Sequence, residues 1–474
     1  MIRRALLLAG LFLSAGAATA QPLAFADVTV IDVEDGTARP GMTVIVSGDR
    51  ITSVGPTSTV AVPDGATVID ASGKYLIPGL WDMHAHVFFD GMDGYFPLLV
   101  ANGVTGIREM GNSTLSLVEI REVRADVESG ARVGPRFVAA GVLFDGPNSR
   151  WSDGVVLAET PQRGRALVDS VAAEGADFIK VYSYLQPDVY AAIVDQAQRR
   201  KLPVAGHVPY LVRAKDASRA GQRSFEHLIG IEDGCSTEEA TLIEISRQEL
   251  RLLARGDTAA VDSLEREWRR RVLATQDAAR CRALFELLRE NGTFQVPTLV
   301  QQGRPKCVDA EALTRDPRMK YVPRFMQSWW PEVIEASRGA DLESERELCR
   351  LRTAQVGKMA QSGVPLLAGT DAGWPWVIWG FSLHEELELL VEAGLSPLQA
   401  LQAATLNPAQ YLGATDSLGT VEAGKLADLV LLDGNPLADI RNTQKISAVV
   451  LNGRYLDREA LDALLSEVEQ AAQE

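Results

Sequence analysis

Leu80-Trp81-Asp82-Met83-His84-Ala85-His86 is the stretch whose reading decides the fold. Read as a β-strand, it turns successive side chains to opposite faces, so His84 and His86 project together from one face. Two neutral imidazoles held that way can grip a divalent cation. An isolated His-x-His also fits a polar turn, so the choice depends on whether further ligands follow at later strand ends.

They do follow. Between Pro78 and about Gly413, strand-like and helix-like segments alternate, with strands expected to end near His86, Arg108, Leu143, Tyr182, His207, His227, Leu299 and Asp371. Helical stretches follow most of them, such as PDVYAAIVDQAQRRK at 187–201. Eight such units predict an α/β protein built on a closed parallel (β/α)8 TIM barrel, whose functional groups sit at the C-terminal strand ends. Lys180, in Phe178-Ile179-Lys180-Val181-Tyr182, shares a face with Phe178 and Tyr182. Inside a barrel a bare ammonium meets a desolvation cost that lowers its pKa. The neutral amine can then take up carbon dioxide as a carbamate, whose two oxygens can bridge two cations; a lysine paired with a buried carboxylate is the alternative. His207 ends LPVAGH (202–207) and His227 ends RSFEH (223–227), together offering imidazoles for a second cation. Asp371 ends VPLLAGTD (364–371), where an ionised carboxylate needs a cation or donors to offset its burial. A helix N-cap would also explain it.

The flanks are written differently. FADVTVIDV (25–33) and MTVIVSGDRITSVG (42–55) alternate Val and Ile between turn residues, and the style returns in ADLVLLDGNP (427–436) and KISAVVLNGRYL (445–456). Residues 21–77 and 416–474 are therefore expected to pair as one discontinuous β-sandwich domain around a barrel at 78–415. The segment 458–474 reads as an acidic surface helix. Two connections, at about 232–290 and 301–356, are far longer than ordinary barrel loops. Following strands as they do, they are expected over the mouth of the barrel, or in an oligomer contact. Cys235, Cys281, Cys307 and Cys349 lie in them, an even number that suits disulfides in an oxidising compartment. Of the three possible pairings, Cys235–Cys281 and Cys307–Cys349 are favoured, because each closes one insertion on itself.

Residues 1–20 read as an export signal: Arg3 and Arg4, an apolar run from Ala5 to Ala15, then Ala18-Thr19-Ala20 as the cleavage site. The expectation is an exported protein, periplasmic or secreted, without a membrane anchor. A net charge of −16 argues against nucleic acid or anionic lipid as a partner. A homo-oligomer is compatible with everything above.

Aromatic residues gather around the expected mouth: Trp151, Tyr182, Tyr184, Tyr210, Trp374, Trp376 and Trp379. They line an apolar pocket or form the core beneath a lid. In the first case the partner is a small molecule with an apolar or aromatic group. Tyr182, Tyr210, Trp374 and Trp376 are candidate substrate contacts. Arg150 joins them because its planar fork matches a carboxylate. His384, opening a helix-like stretch, is a candidate for touching substrate or supporting the ligands.

Taken together, PGLWDMHAH (78–86), AGH (205–207), EHL (226–228), GTDA (369–372), LHEEL (383–387), AGLSPLQALQAATLNPA (393–409) and LGTVEAGKLADLVLLDGNPL (418–437) resemble the amidohydrolase superfamily of metal-dependent hydrolases. The likeness is to exported members related to imidazolonepropionase-like enzymes, Xaa-Pro dipeptidases and ochratoxin-type amidases. It implies His84, His86 and Asp371 on one divalent ion, His207 and His227 on another, and carbamylated Lys180 bridging them, with Zn²⁺ the usual metal. It further implies cleavage of an amide bond in a dipeptide or N-acyl amino acid by a hydroxide shared between the ions, with Asp371 transferring the proton. Lactone or cyclic-amide hydrolysis is the enzymatic alternative, and a non-catalytic periplasmic binding protein the other. One departure concerns the dipeptidase type, which often carries a glycine-and-histidine segment after the third strand. Here FDGPNSRW (144–151) has no histidine, which separates dipeptide cleavage from hydrolysis as such.

Overall fold

The computed structural model describes residues 21–473 except 90–91, 112, 304–306, 308–312, 314 and 339–340; the export-signal reading of 1–20 lies outside the described residues. The alternating N-terminal stretch forms β1 (Leu23–Ile31), β2 (Ala38–Ser47), β3 (Arg50–Pro56), β4 (Thr67–Asp70) and β5 (Tyr75–Pro78). Next come β6 (Leu80–Ala85), β7 (Val104–Glu109) and β8 (Arg136–Ala139), a three-stranded parallel sheet. A six-stranded parallel sheet follows, made of β9 (Leu143–Asp145), β10 (Val155–Leu157), β11 (Ile179–Val181), β12 (Val204–Gly206), β13 (Ser224–Glu226) and β14 (Phe294–Val296) in the order β10-β9-β11-β12-β13-β14. The chain ends with β15 (Leu429–Leu432), β16 (Ile446–Leu451), β17 (Arg454–Asp457) and the helix Arg458–Ala471, which buries Leu461 and Val468. The architecture is α/β with several sheets.

The two ends of the chain share one sheet. β15 runs antiparallel to β5, with Leu429 opposite Pro78 and Leu432 opposite Tyr75. The order is β17-β16-β15-β5-β1-β2-β3, with β4 also on β1. Phe25, Val44, Ile51, Leu76, Leu429 and Val450 pack in a core of their own, and burying one face pins the register against one-residue slips.

Hydrogen bonds link the two parallel sheets, directly on one side and through a third segment on the other. On one side Asp177 N donates to Ala139 O at 3.0 Å. On the other, the extended segment 364–372 is bonded along both flanks, although it is not itself a regular strand. Gln295 N donates to Pro365 O, Leu367 N to Gln295 O and Met83 N to Ala368 O, each at 2.9 Å. All residues of β6, β7 and β11–β14 are buried, as parallel strands covered on both faces must be. One expected strand is divided: the segment running to Leu143 breaks into β8 and β9 at Gly141, whose φ of 78° favours glycine.

Both long connections are helical. The first holds Glu239–Leu253, Thr258–Ala274 and Ala278–Glu290; the second holds Arg324–Arg338 and Leu342–Gln361. Disulfides join Cys235 to Cys281 and Cys307 to Cys349, each inside its own insertion. The first insertion packs on the second through Leu242, Ile245, Val272 and Leu348. An Arg269–Glu345 ion pair, and Arg352 with Glu232 at 2.7 Å, reinforce the contact. Among the described residues no helix is long and apolar enough to cross a membrane.

Candidate active site

The parallel strands end around a cavity of about 290 Å³. His84, His86, Lys180, His207, His227 and Asp371 all face it. Each arrives from a different strand end or, for the first two, from one strand, so residues distant in sequence converge. Sterics make this possible at two glycines. A Cβ on Gly206 would stand 2.1 Å from Val181 O and 3.0 Å from Lys180 Cδ, and one on Gly369 would stand 2.8 Å from His84 Cβ. His227 (φ 60°), Thr298 (φ 47°) and Asp371 (φ 64°) adopt left-handed backbone without being glycine. Such strain costs about 1–3 kcal/mol per residue and persists where the surroundings over-determine it.

Every imidazole in the cluster is held by its Nδ1. His84 Nδ1 is 2.8 Å from Glu226 Oε2, His86 Nδ1 donates to Gly111 O at 2.8 Å, His207 Nδ1 meets Ser183 Oγ at 2.7 Å, and His227 Nδ1 meets Thr298 Oγ1 at 2.7 Å. This leaves the Nε2 atoms as the inward groups. Asp371 Oδ1 lies 3.2 Å from His84 Nε2 and 3.1 Å from His86 Nε2. Ligand atoms of these three residues all fall within 4.8 Å of one another. The rings of His84 and His227 are 4.5 Å apart and those of His207 and His227 5.0 Å apart.

The electrostatics suit metal ligation. Burial, aided by Lys180, holds His207 well below its usual pKa; burial and His84 hold His227 down at about 3, so both rings are neutral. Asp371 stays ionised: burial opposes this, but His84 and His86 outweigh it and hold its pKa well below the usual carboxylate value. Burial lowers Lys180 to about 8 against the pull of Glu226 and Asp371. Among the described residues its Nζ makes no hydrogen bond or ion pair, although Glu226, Asp371 and Glu109 all act on it through their charge. Burial raises Glu109, beneath His86, to about 8.

A family model described as the amidohydrolase family matches residues 75–456. The chain belongs to the amidohydrolase family. The amidohydrolase is similar across 95% of its length to bottromycin amidohydrolase, at 26% identity, a TM-score of 0.70 and 90% of that chain covered. It also shares its fold with a candidate prolidase of Bifidobacterium longum, at 24% identity, a TM-score of 0.69 and 95% and 99% coverage. Two curated relatives match over short stretches. Adenine deaminase of Rubrobacter xylanophilus is 45% identical over 65 residues, 14% of this chain and 11% of that protein. Imidazolonepropionase of Syntrophobacter fumaroxidans is 37% identical over 102 residues, 21% and 24% of the two chains.

Beyond the His–Lys–Asp cluster, the cavity wall of this amidohydrolase is apolar and aromatic. Trp151, Tyr182 and Trp374 line it, as the sequence suggested, joined by Phe89, Leu143 and Ile229. Phe325, Met326 and Trp329 come from the second insertion, with Gln301 and Gln302 before it. Among the described residues none from the first insertion lines the cavity; that insertion packs on the second and meets the loop before Trp151 through Arg150, Glu249 and Glu265.

Four expected substrate contacts lie outside the lining. Trp376 is buried, its ring 5.4 Å from that of Trp330. Tyr210 packs edge-on against Tyr184. Arg150 faces Glu265 at 3.5 Å and Glu249 at 3.6 Å. His384, for which the sequence left both a substrate contact and a support open, is buried, its Nδ1 meeting Thr443 Oγ1 and its Nε2 Asn102 O, each at 3.0 Å. Trp379 stacks on Tyr95 and donates from Nε1 to His86 O at 2.9 Å.

The sequence reading missed the supports. Arg108 is fully buried, pairing with both oxygens of Glu226 at 2.9 and 3.0 Å and donating to Met83 O, Ser224 Oγ and Tyr411 Oη. Despite burial, Arg108 and His84 keep Glu226 well below the carboxylate range, so it orients His84 as an anion. Glu386 accepts from Leu299 N at 3.0 Å and Val300 N at 2.8 Å, anchoring the turn that carries Thr298, Gln301 and Gln302. Glu226 and Glu386 both stood inside quoted motifs; the only available signal was a carboxylate where the pattern called for burial.

Proposed function

We propose that this amidohydrolase is a binuclear metal-dependent enzyme that hydrolyses an amide bond lying beside an apolar or aromatic group. The observation that carries the reading is the convergence of four Nδ1-anchored imidazoles, an ionised Asp371 and an unpartnered buried Lys180 on one cavity. The hydrogen bonds that link the two parallel sheets, directly and through residues 364–372, support the reading of a closed eight-stranded barrel with that segment as its eighth stave. Around it we infer the division 21–77 and 416–474 as a β-sandwich domain, and 78–415 as the barrel with its two insertions.

The donors fit divalent ions. His84, His86 and Asp371 would hold one, His207 and His227 the other, and Lys180, as its carbamate, would lie between them. Nitrogen and oxygen donors of this kind suit Zn²⁺. When bound, such ions supply Lewis acidity toward the scissile carbonyl and bring a water's pKa toward neutrality. Asp371, ionised at the strand end, accepts a proton from the attacking water and returns it to the departing nitrogen. A C–O bond forms, the C–N bond breaks, and a carboxylate and an amine leave. The aromatic wall excludes bulk water while Glu226, Ser183, Thr298 and Gly111 hold the rings still. The two disulfides support an exported, periplasmic or secreted setting.

Cyclic C–N substrates are a second reading, favoured by the short stretches similar to imidazolonepropionase and adenine deaminase. Metal analysis of protein purified without chelator, paired with a hydrolysis screen of amides, cyclic amides and lactones, tests the proposal. About two equivalents of metal per chain and amide turnover lost on chelation are expected. Full amide turnover by a folded, metal-free chain would overturn it, and so would wild-type turnover by Lys180→Ala.

A further inference from the structure

Resting on the amide-hydrolase reading above, we propose that the substrate is uncharged around its scissile bond. It would be an amide bearing an aromatic or extended apolar group, without a free carboxylate, seated by Phe325, Met326, Trp329 and Trp374. Among the described residues, the cavity wall outside the ligand cluster carries no charged side chain. Its polar side-chain groups are neutral: the Tyr182 hydroxyl, the indole N–H groups of Trp151, Trp329 and Trp374, and the amides of Gln301 and Gln302, the last already engaged by Arg352 through Oε1. Arg150, whose fork would suit a carboxylate, is outside the lining and turned to Glu249 and Glu265.

The apolar side of the argument is positive. Phe325 is 46% exposed, Trp329 38% and Trp374 36%, unusual for side chains of this size, and all three line the same cavity. Phe325 and Trp329 are four residues apart on the helix Arg324–Arg338, so they share one face of it. Exposed apolar surface concentrated at a concave site marks a place where a ligand completes the packing. A carboxylate seated on this wall, away from the His–Lys–Asp cluster, would lose its hydration without meeting a cationic side chain among the described residues, a heavy penalty. The net charge of −16 adds long-range repulsion of anions. Dipeptides and N-acyl amino acids both carry that carboxylate, so the preferred substrate class shifts to neutral aryl or acyl amides.

The test is a matched pair, N-decanoyl-phenylalanine and its C-terminal carboxamide, with decanoate release and binding measured separately on the full metal-loaded chain. The carboxamide should exceed the acid in kcat/KM by at least about tenfold, and should bind more tightly in a tryptophan-fluorescence titration. Trp329→Arg, which would put a guanidinium on the wall itself, should raise the acid relative to the carboxamide by about tenfold. Equal or tighter binding of the acid overturns the proposal whether or not either compound is cleaved. Tighter binding of the carboxamide with neither compound cleaved would support the proposal while removing the amide-hydrolase reading.

Discussion

His384 offers a sharp test of the distinction between a buttress and a substrate contact. Burial lowers its pKa from 6.5 to about 4, with a small opposing contribution from Asn102 O. The folded state therefore prefers the neutral ring. Its contribution to stability is complete above pH 6.5 and is lost as the pH falls toward 4, because the unfolded chain takes up the proton first. At about 1.4 kcal/mol per pH unit, that interval amounts to about 3 kcal/mol, an order-of-magnitude figure. The assay is urea unfolding of wild type and His384→Gln between pH 7.5 and 4.5, both with chelator so that metal binding does not enter. The variant should be less stable near neutrality, and the gap between the two proteins should narrow by about 2–3 kcal/mol by pH 4.5. Curves that stay parallel across the range would refute the buried-neutral reading. Retained stability with a raised KM would restore His384 to the substrate.

Asp371→Asn keeps the size of the side chain but not its basicity, and should lower kcat by about 10²–10⁴-fold; a loss confined to KM would argue against proton transfer. Glu226→Gln leaves the fully buried Arg108 without its anion and should cost about 3–5 kcal/mol of unfolding free energy, read by denaturant melts. Unchanged stability in that variant would mean the pair is dispensable. Replacing Cys235 and Cys281 by serine should remove about 2–4 kcal/mol of stability while leaving KM for the amide substrate unchanged, because among the described residues none of that insertion lines the cavity. A KM change there would show that the first insertion shapes the wall after all.

The readable part of this molecule was the part encoded by short-range rules. Strand alternation put His84 beside His86, and a charged side chain inside an apolar strand singled out Lys180. Punctuation by Gly, Pro and Asp marked where the terminal strands begin, and those strands do share a sheet across some 350 residues of intervening chain. The disulfide pairing was legible because each insertion contains two cysteines and closing a shorter loop is the simpler course. The aromatic residues were not separable, because Trp374 and Trp376 differ by two positions in one turn. A φ of 60° at Trp376 helps turn that ring inward against Trp330, while Trp374 remains at the cavity rim.

The supports of the imidazoles were illegible for a physical reason. One functional demand, holding Nδ1 so that Nε2 faces inward, is met here by a carboxylate, a backbone carbonyl and two hydroxyls. These lie 142, 25, 24 and 71 residues from the rings they hold. Any acceptor at the right point in space satisfies the demand, so no residue type and no spacing encodes it. The ligands themselves must be nitrogen or oxygen donors at strand ends, which narrows them to a few residue types at a few positions. Chemistry at the cavity is therefore written in the sequence, whereas the groups that orient it are selected by the fold. Glu226 shows the consequence: it stands next to His227 in the chain, yet the ring it holds is His84, on a different strand.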